Sequence, residues 1–243
     1  MFAILKKEIS SFFSSLIGYV VIGVFLVLMG LVMFVFPDTS VLDNNYASLD
    51  TLFGMAPMVF MFLIPAVTMR MLAEEQQSGT IELLVTRPVS DWQIVGAKFL
   101  ASLLLVVFAL LPTLMYYVTV YILGAPKGNL DSGGIFGSYI GLIFLAAAFS
   151  AIGVFSSSLT NNQIVAFVLA AFLSFFVYLA FGYLSRLPVF YGRTDDIVQS
   201  FGIEYHYNSM SRGVLDTRDI VYFISIIGLF LAATTVSLGR RKW

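Results

Sequence analysis

Five stretches of this chain contain no Asp, Glu, Lys, Arg or His: residues 10–37, 51–69, 99–126, 132–185 and 220–239. A helix needs about 20 mostly apolar residues to cross the hydrocarbon core of a bilayer. Four of the stretches suit one crossing each. The fourth in order has 54 residues, too long for a single helix at about 1.5 Å rise per residue. It divides at the polar run Ser156-Ser157-Ser158-Leu159-Thr160-Asn161-Asn162-Gln163. Six spans are therefore expected, near 15–36, 51–72, 94–124, 135–157, 162–184 and 217–238. Composition agrees: 59% of the 243 residues are hydrophobic and only 11% charged. Soluble domains carry roughly 25% charged residues, and disorder needs low hydrophobicity with high net charge. The expected fold is an all-α polytopic membrane protein, a single domain over 1–243.

Helix starts are written locally. Ser90-Asp91-Trp92-Gln93 has the form of a capping box, with Val89 and Ile94 as a hydrophobic staple. Thr160-Asn161-Asn162-Gln163 repeats the form with Leu159 and Ile164, and Asp216 with Asp219 is a looser version. Ahead of the first span, Phe2, Leu5, Ile9 and Phe12 recur at helical spacing among Lys6, Lys7, Ser10 and Ser11. That pattern predicts an amphipathic interfacial helix over 1–14, uncleaved because no small-residue cleavage site follows a short apolar core. Gly18, Gly23, Gly30, Gly141 and Gly153 are read as close-packing positions. Pro57, Pro65 and Pro112 are read as kinks, and Tyr116, Tyr117 and Tyr121 as an interfacial belt.

Charge sets the expected orientation. With the N-terminus inside, the inner side holds eight basic residues (Lys6, Lys7, Arg70, Arg87, Lys98, Arg240, Arg241, Lys242) and five acidic ones (Glu8, Glu74, Glu75, Glu82, Asp91). The outer side keeps five basic and nine acidic residues. The basic excess marks the cytoplasmic side, so both termini are expected there. Two long loops follow: cytoplasmic 73–93 and external 186–216.

Several chemistries are excluded. There is no cysteine, and the single histidine, His206, falls in the external loop. No phosphate loop, HExxH helix or G-x-S-x-G elbow occurs. The spans show no ionisable residue away from their ends, unlike ion-coupled transporters. A net charge of -1 offers no basic excess for nucleic acid. No bound cofactor or metal is expected.

The informative segment lies between the second and third spans. The helix is expected to continue past the membrane through Glu74 and Glu75 and to end at Gly79 as a C-cap. Thr80 can then cap a short helix carrying Ile81, Glu82, Leu83 and Leu84, broken at Arg87-Pro88. A short acidic and apolar helix held between two spans suits docking into a partner. A helix resting on lipid is disfavoured, because the cytoplasmic leaflet is itself negative.

The pattern Glu74-Glu75-x-x-x-Gly79-Thr80-x-Glu82-Leu83-Leu84, then x-x-x-Pro88-Val89-Ser90-x-x-x-Ile94-Val95-x-x-Lys98, resembles the permease subunits of type-2 ABC transporters. Phe2-Ala3-Ile4-Leu5-Lys6-Lys7-Glu8 with Phe12-Phe13 is similar to that family's start, and 212–222 to its approach to the last span. The resemblance covers essentially the whole chain. Within the family the chain is most similar to the gliding-motility-associated permease.

The resemblance implies a non-enzymatic permease of an ATP-driven exporter in a bacterial inner membrane. A separate ABC ATPase subunit would bind ATP and Mg. A second copy or a related permease would pair through the first and fifth spans, and an accessory membrane or periplasmic protein would join them. Glu74, Glu75, Gly79, Thr80, Glu82 and Leu83 would form the ATPase-coupling site. Parts of the external loop, 197–201 and 205–213, would fold back as short helices. Read from its length, this longest outer loop covers the outer end of the route, with 201–203 and Tyr205 packed as a lid or, in the plain alternative, left as a solvated loop. The rival reading is a membrane anchor or assembly component of a surface or motility machine, without transport.

Overall fold

A computed structural model describes residues 1–43, 46–80, 90–189, 192 and 194–239. Helix accounts for 78% of the described residues, and no strand occurs among them. Among the described residues five helical segments are long and apolar enough to cross a membrane, and a bent pair at the N-terminus makes up to six. The protein is an all-α polytopic membrane protein.

The bent pair is α1 (Phe2–Ser14) and α2 (Leu16–Phe34), which meet at 70°. Next come α3 (Asp50–Thr68) and the short α4 (Ala73–Gln77). The third segment is α5 (Asp91–Leu110), a 3-10 turn (Leu111–Thr113) holding Pro112, and α6 (Leu114–Leu123). Then follows α7 (Ser132–Leu159). The fifth segment is α8 (Gln163–Phe175), a π-helical turn (Phe176–Ala180) and α9 (Phe181–Ser185). Two short helices, α10 (Asp195–Gln199) and α11 (Ile203–Met210), precede α12 (Thr217–Gly239).

The centre of the bundle is α7. Of its most apolar stretch 78% is buried, against 22% for α8–α9 and 11% for α12, so those two present their apolar side chains outward. Glycine permits the close packing around α7. A Cβ on Gly153 would lie 2.7 Å from Thr68 Cβ on α3, and one on Gly141 would lie 2.7 Å from Met210 Cβ on α11. Gly23 on α2 meets nothing, so the glycines of the first span are not one packing stripe. Gly18 lies against Phe12, and Gly30 against the Tyr116 hydroxyl.

Several local expectations need correction. The Ser90–Gln93 capping box is present in both directions, but Thr160 does not cap α8. Asn162 does, accepting from the N–H groups of Ile164 and Val165, while the Thr160 hydroxyl accepts from Asn162 N–H. The extended backbone at Thr160 ends α7 and leaves Asn162 next to the free N–H groups. At α12, Asp216 accepts from Arg218 N–H, and Asp219 turns away from the helix end to His206.

Two further side-chain groups make defined contacts. Tyr116 donates to Leu26 O at 2.6 Å and ties α6 to α2, and Tyr117 pairs with Ser132 at 2.9 Å. Of the expected lid, Phe201 is 61% and Tyr205 44% exposed. Ile203, Tyr207 and Met210 are the residues packed inward, and the Tyr207 hydroxyl donates to Phe53 O. Phe201 precedes α11; on α11 itself Tyr205 lies on the exposed side, while Ile203, His206, Tyr207 and Met210 are buried.

Candidate functional site

One end of the bundle, the base, brings together α1, α4, the start of α5, the end of α7 and the start of α8. The turn from α3 into α4 is pinned from α7. Ser157 Oγ accepts from Leu72 and Ala73 N–H, both at 3.0 Å, and donates to Met69 O. Gln76 Nε2 donates to Ser158 O at 3.1 Å. These bonds satisfy backbone groups that a five-residue helix leaves unpaired at its ends.

The second anchor is ionic. Lys98, two turns inside α5, is fully buried. Its ammonium lies 2.8 Å from Glu8 Oε1 on α1, 2.8 Å from Glu75 Oε2 on α4, and donates to Met71 O. The ammonium thus hydrogen-bonds Glu8 on α1 and Met71 O in the turn before α4, and meets the Glu75 carboxylate of α4 as an ion pair. Glu75 Oε1 takes a further bond of 2.8 Å from Lys7 Nζ. Burial pushes the Lys7 ammonium down, but the Glu75 hydrogen bond and the Glu75, Glu8 and Glu74 carboxylates outweigh it and hold it above its ordinary value. Arg70 Nε pairs with Glu74 Oε2 at 3.4 Å. The apolar residues of α1 (Leu5, Ile9, Phe12 and Phe13) pack into the core, with the Phe13 ring 5.6 Å from Phe108 on α5. The apolar face of α1 is thus partly covered by protein, with Phe2 left 79% exposed.

The expected coupling residues separate into two faces. Glu75 is turned inward, its side chain 9% exposed. Glu74, 54% exposed, points out with Gln77, Ser78, Gly79 and Thr80. Gly79 has φ +69, so the chain leaves α4 through a left-handed residue. Thr80 Oγ1 lies 2.9 Å from Ser78 Oγ. Glu82 and Leu83, with the short helix expected around them, lie outside the described residues. A small cavity of 180 Å³ is lined by Lys7, Glu8, Ser11, Arg70, Glu74 and Glu75 among others. Lys7, Glu8 and Lys98 were not read as site residues from the sequence. A signal existed for Lys98: Ile94, Val95, Ala101 and Ser102 put apolar and small neighbours one turn away on either side.

The described residues form a multi-pass helical membrane bundle with an anchored, half-exposed short helix at one end. The family follows from comparison. Residues 35–193 match the family model described as ABC-2 family transporter protein, and that span is well over half of the chain. The chain belongs to this family, whose membrane domain is a permease component and not itself catalytic. Membership implies pairing with an ABC ATPase and a lipid bilayer. No curated protein matches the chain.

Proposed function

We propose that this chain is the permease subunit of an ATP-driven exporter in a bacterial inner membrane. The base faces the cytoplasm and receives a separate ATPase subunit, which holds ATP and Mg. Two permeases, identical or related, pair to form the route, and an accessory membrane or periplasmic protein joins them at the far end. The observation that carries the reading is the two-sidedness of α4. Its inner side is fixed by Ser157, Ser158 and Lys98, and its outer side, at Glu74 and Gln77 to Thr80, is open. Push or rotation applied to the open side passes to α7 through Ser157 and to α5 through Lys98. The narrower role, export serving gliding motility, rests on the whole-chain resemblance alone.

Charge reversal in the proposed coupling segment tests the docking surface. Glu74→Lys and Glu82→Lys are expected to lower ATPase copurification and ATP-dependent export with membrane insertion unchanged. Charged pairs at interfaces are worth ~2–5 kcal/mol when buried, so retention should drop at least tenfold. Gly79→Pro should act likewise, because proline cannot adopt φ +69. Normal ATPase retention and export in all three variants sinks the docking assignment. Export lost with no ATPase ever copurifying favours the anchor reading.

Orientation has its own test, made clean by the absence of native cysteine. A cysteine replacing Asn129 should label from outside intact cells, and one replacing Asn161 only after permeabilisation. Outside labelling at position 161 would refute the six-span arrangement.

A further inference from the structure

At the end of the bundle opposite the base, the only histidine of the chain is buried between the short helices and the last span. Its Nδ1 lies 2.7 Å from Asp219 Oδ1 on α12, and its Nε2 lies 2.8 Å from the backbone oxygen of Ser200, just after α10. The ring stacks on Tyr222 of α12 at 3.9 Å between centroids and 22° between planes. Tyr222 itself donates to Phe201 O at 2.7 Å.

The chemistry of the partners decides the protonation of the ring. A backbone carbonyl only accepts, so Nε2 must carry a proton. An ionised carboxylate also only accepts, so Nδ1 must carry one too. A neutral imidazole has one donor and one acceptor and cannot serve both. Asp219 lies in the first turn of α12, where unpaired N–H groups favour negative charge. The face-on tyrosine adds an attraction that only a cation enjoys. From this geometry we infer that His206 is an imidazolium, and that its second proton latches α10 and α11 onto α12.

When the imidazolium loses one proton, one ring nitrogen turns a lone pair toward an acceptor, most readily Nε2 toward Ser200 O, and the buried Asp219 carboxylate loses its counter-charge. The latch should then open. The other titratable groups near the ring are Tyr222 on α12 and Tyr205 on its own helix, whose ring meets it edge-on at 5.2 Å. Glu204 lies on the opposite side of α11, against Gly182. Among the described residues Asp219 forms an ion pair only with His206. The inference does not depend on which side of the membrane this end faces, nor on the proposed transport function.

Because His206 is the sole histidine, isotope-labelled histidine gives one imidazole signal from the full chain in lipid nanodiscs. Nitrogen NMR at about pH 6, on the acid side of ordinary histidine titration, should show both ring nitrogens protonated. Spin labels on Asn208→Cys and Val221→Cys, both exposed positions, should give a narrow distance that broadens over the same pH range in which the ring loses its second proton. Asp219→Asn provides the control. The asparagine amide donates to a neutral Nδ1, so the ring should be neutral and the distance narrow at every pH. A neutral ring at about pH 6 in the parent chain overturns the inference. So does deprotonation without any change in the distance, or a pH-dependent distance that persists in Asp219→Asn.

Discussion

Lys98→Met should be among the most damaging single substitutions in the chain. It removes the cation that joins α1, α4 and α5 and leaves the Glu8 and Glu75 carboxylates largely buried. Breaking a buried pair by deleting one partner costs about 3–5 kcal/mol. Lys7 offsets part of this, since it stays 2.8 Å from Glu75. The measurement is thermal unfolding of the purified permease in nanodiscs together with ATPase retention. The triple variant Lys98→Met, Glu8→Gln, Glu75→Gln should recover much of the loss, because neutral amides need no counter-charge. If the single variant melts like the parent, the ionic anchor contributes nothing to holding α4. If the triple variant is as stable as the parent but uncoupled from ATPase, the charges serve motion and not stability.

Gly153→Ala should separate α3 from α7. The new methyl would meet Thr68 Cβ at 2.7 Å and Cγ2 at 3.0 Å. Rotating Thr68 does not clear its own Cβ, and its hydroxyl is already committed to Ile64 O at 2.9 Å. The helices must give way, and overpacking of this kind typically costs about 1–3 kcal/mol. Ser157, one turn further along α7, holds the start of α4, so the displacement should reach the base as well. Gly23→Ala is the control: it meets no atom within 4 Å and should be neutral or slightly stabilising. Melting curves of the two variants and of Gly153→Ala with Thr68→Gly test this. Equal melting of Gly153→Ala and Gly23→Ala would mean that the α3–α7 approach is looser than its geometry.

The two glycines illustrate how far the sequence reaches. Both sit in apolar stretches and read alike as small residues suited to close packing. Only the structure separates the one under Thr68 from the one in open space. What the sequence determined by itself was whatever depends on neighbours along the chain. The number of apolar segments follows from composition over about 20 residues. The break between α7 and α8 follows from one polar run, and the capping box at α5 from Ser90 and Gln93. The left-handed exit at Gly79 is equally local. The cap of α8 falls at Asn162 and not at Thr160 because both side chains offer the same chemistry, and the end of α7 chooses between them.

Tertiary structure decided which polar groups are buried, and against what. Lys98 and Glu8 are 90 residues apart, and Lys7 and Glu75 are 68 apart. No periodicity within α5 says that a lysine counted among the cytoplasmic charges will take three partners, from α1, α4 and the turn before α4. The same holds for His206 and Asp219, read respectively as a loop residue and a helix cap. Their pairing depends on α11 folding back onto α12. The partition of Glu74 and Glu75, adjacent in sequence and opposite in exposure, has the same cause. Burying a charge is unfavourable unless partners arrive to meet it, and those partners come from elements that only packing brings together.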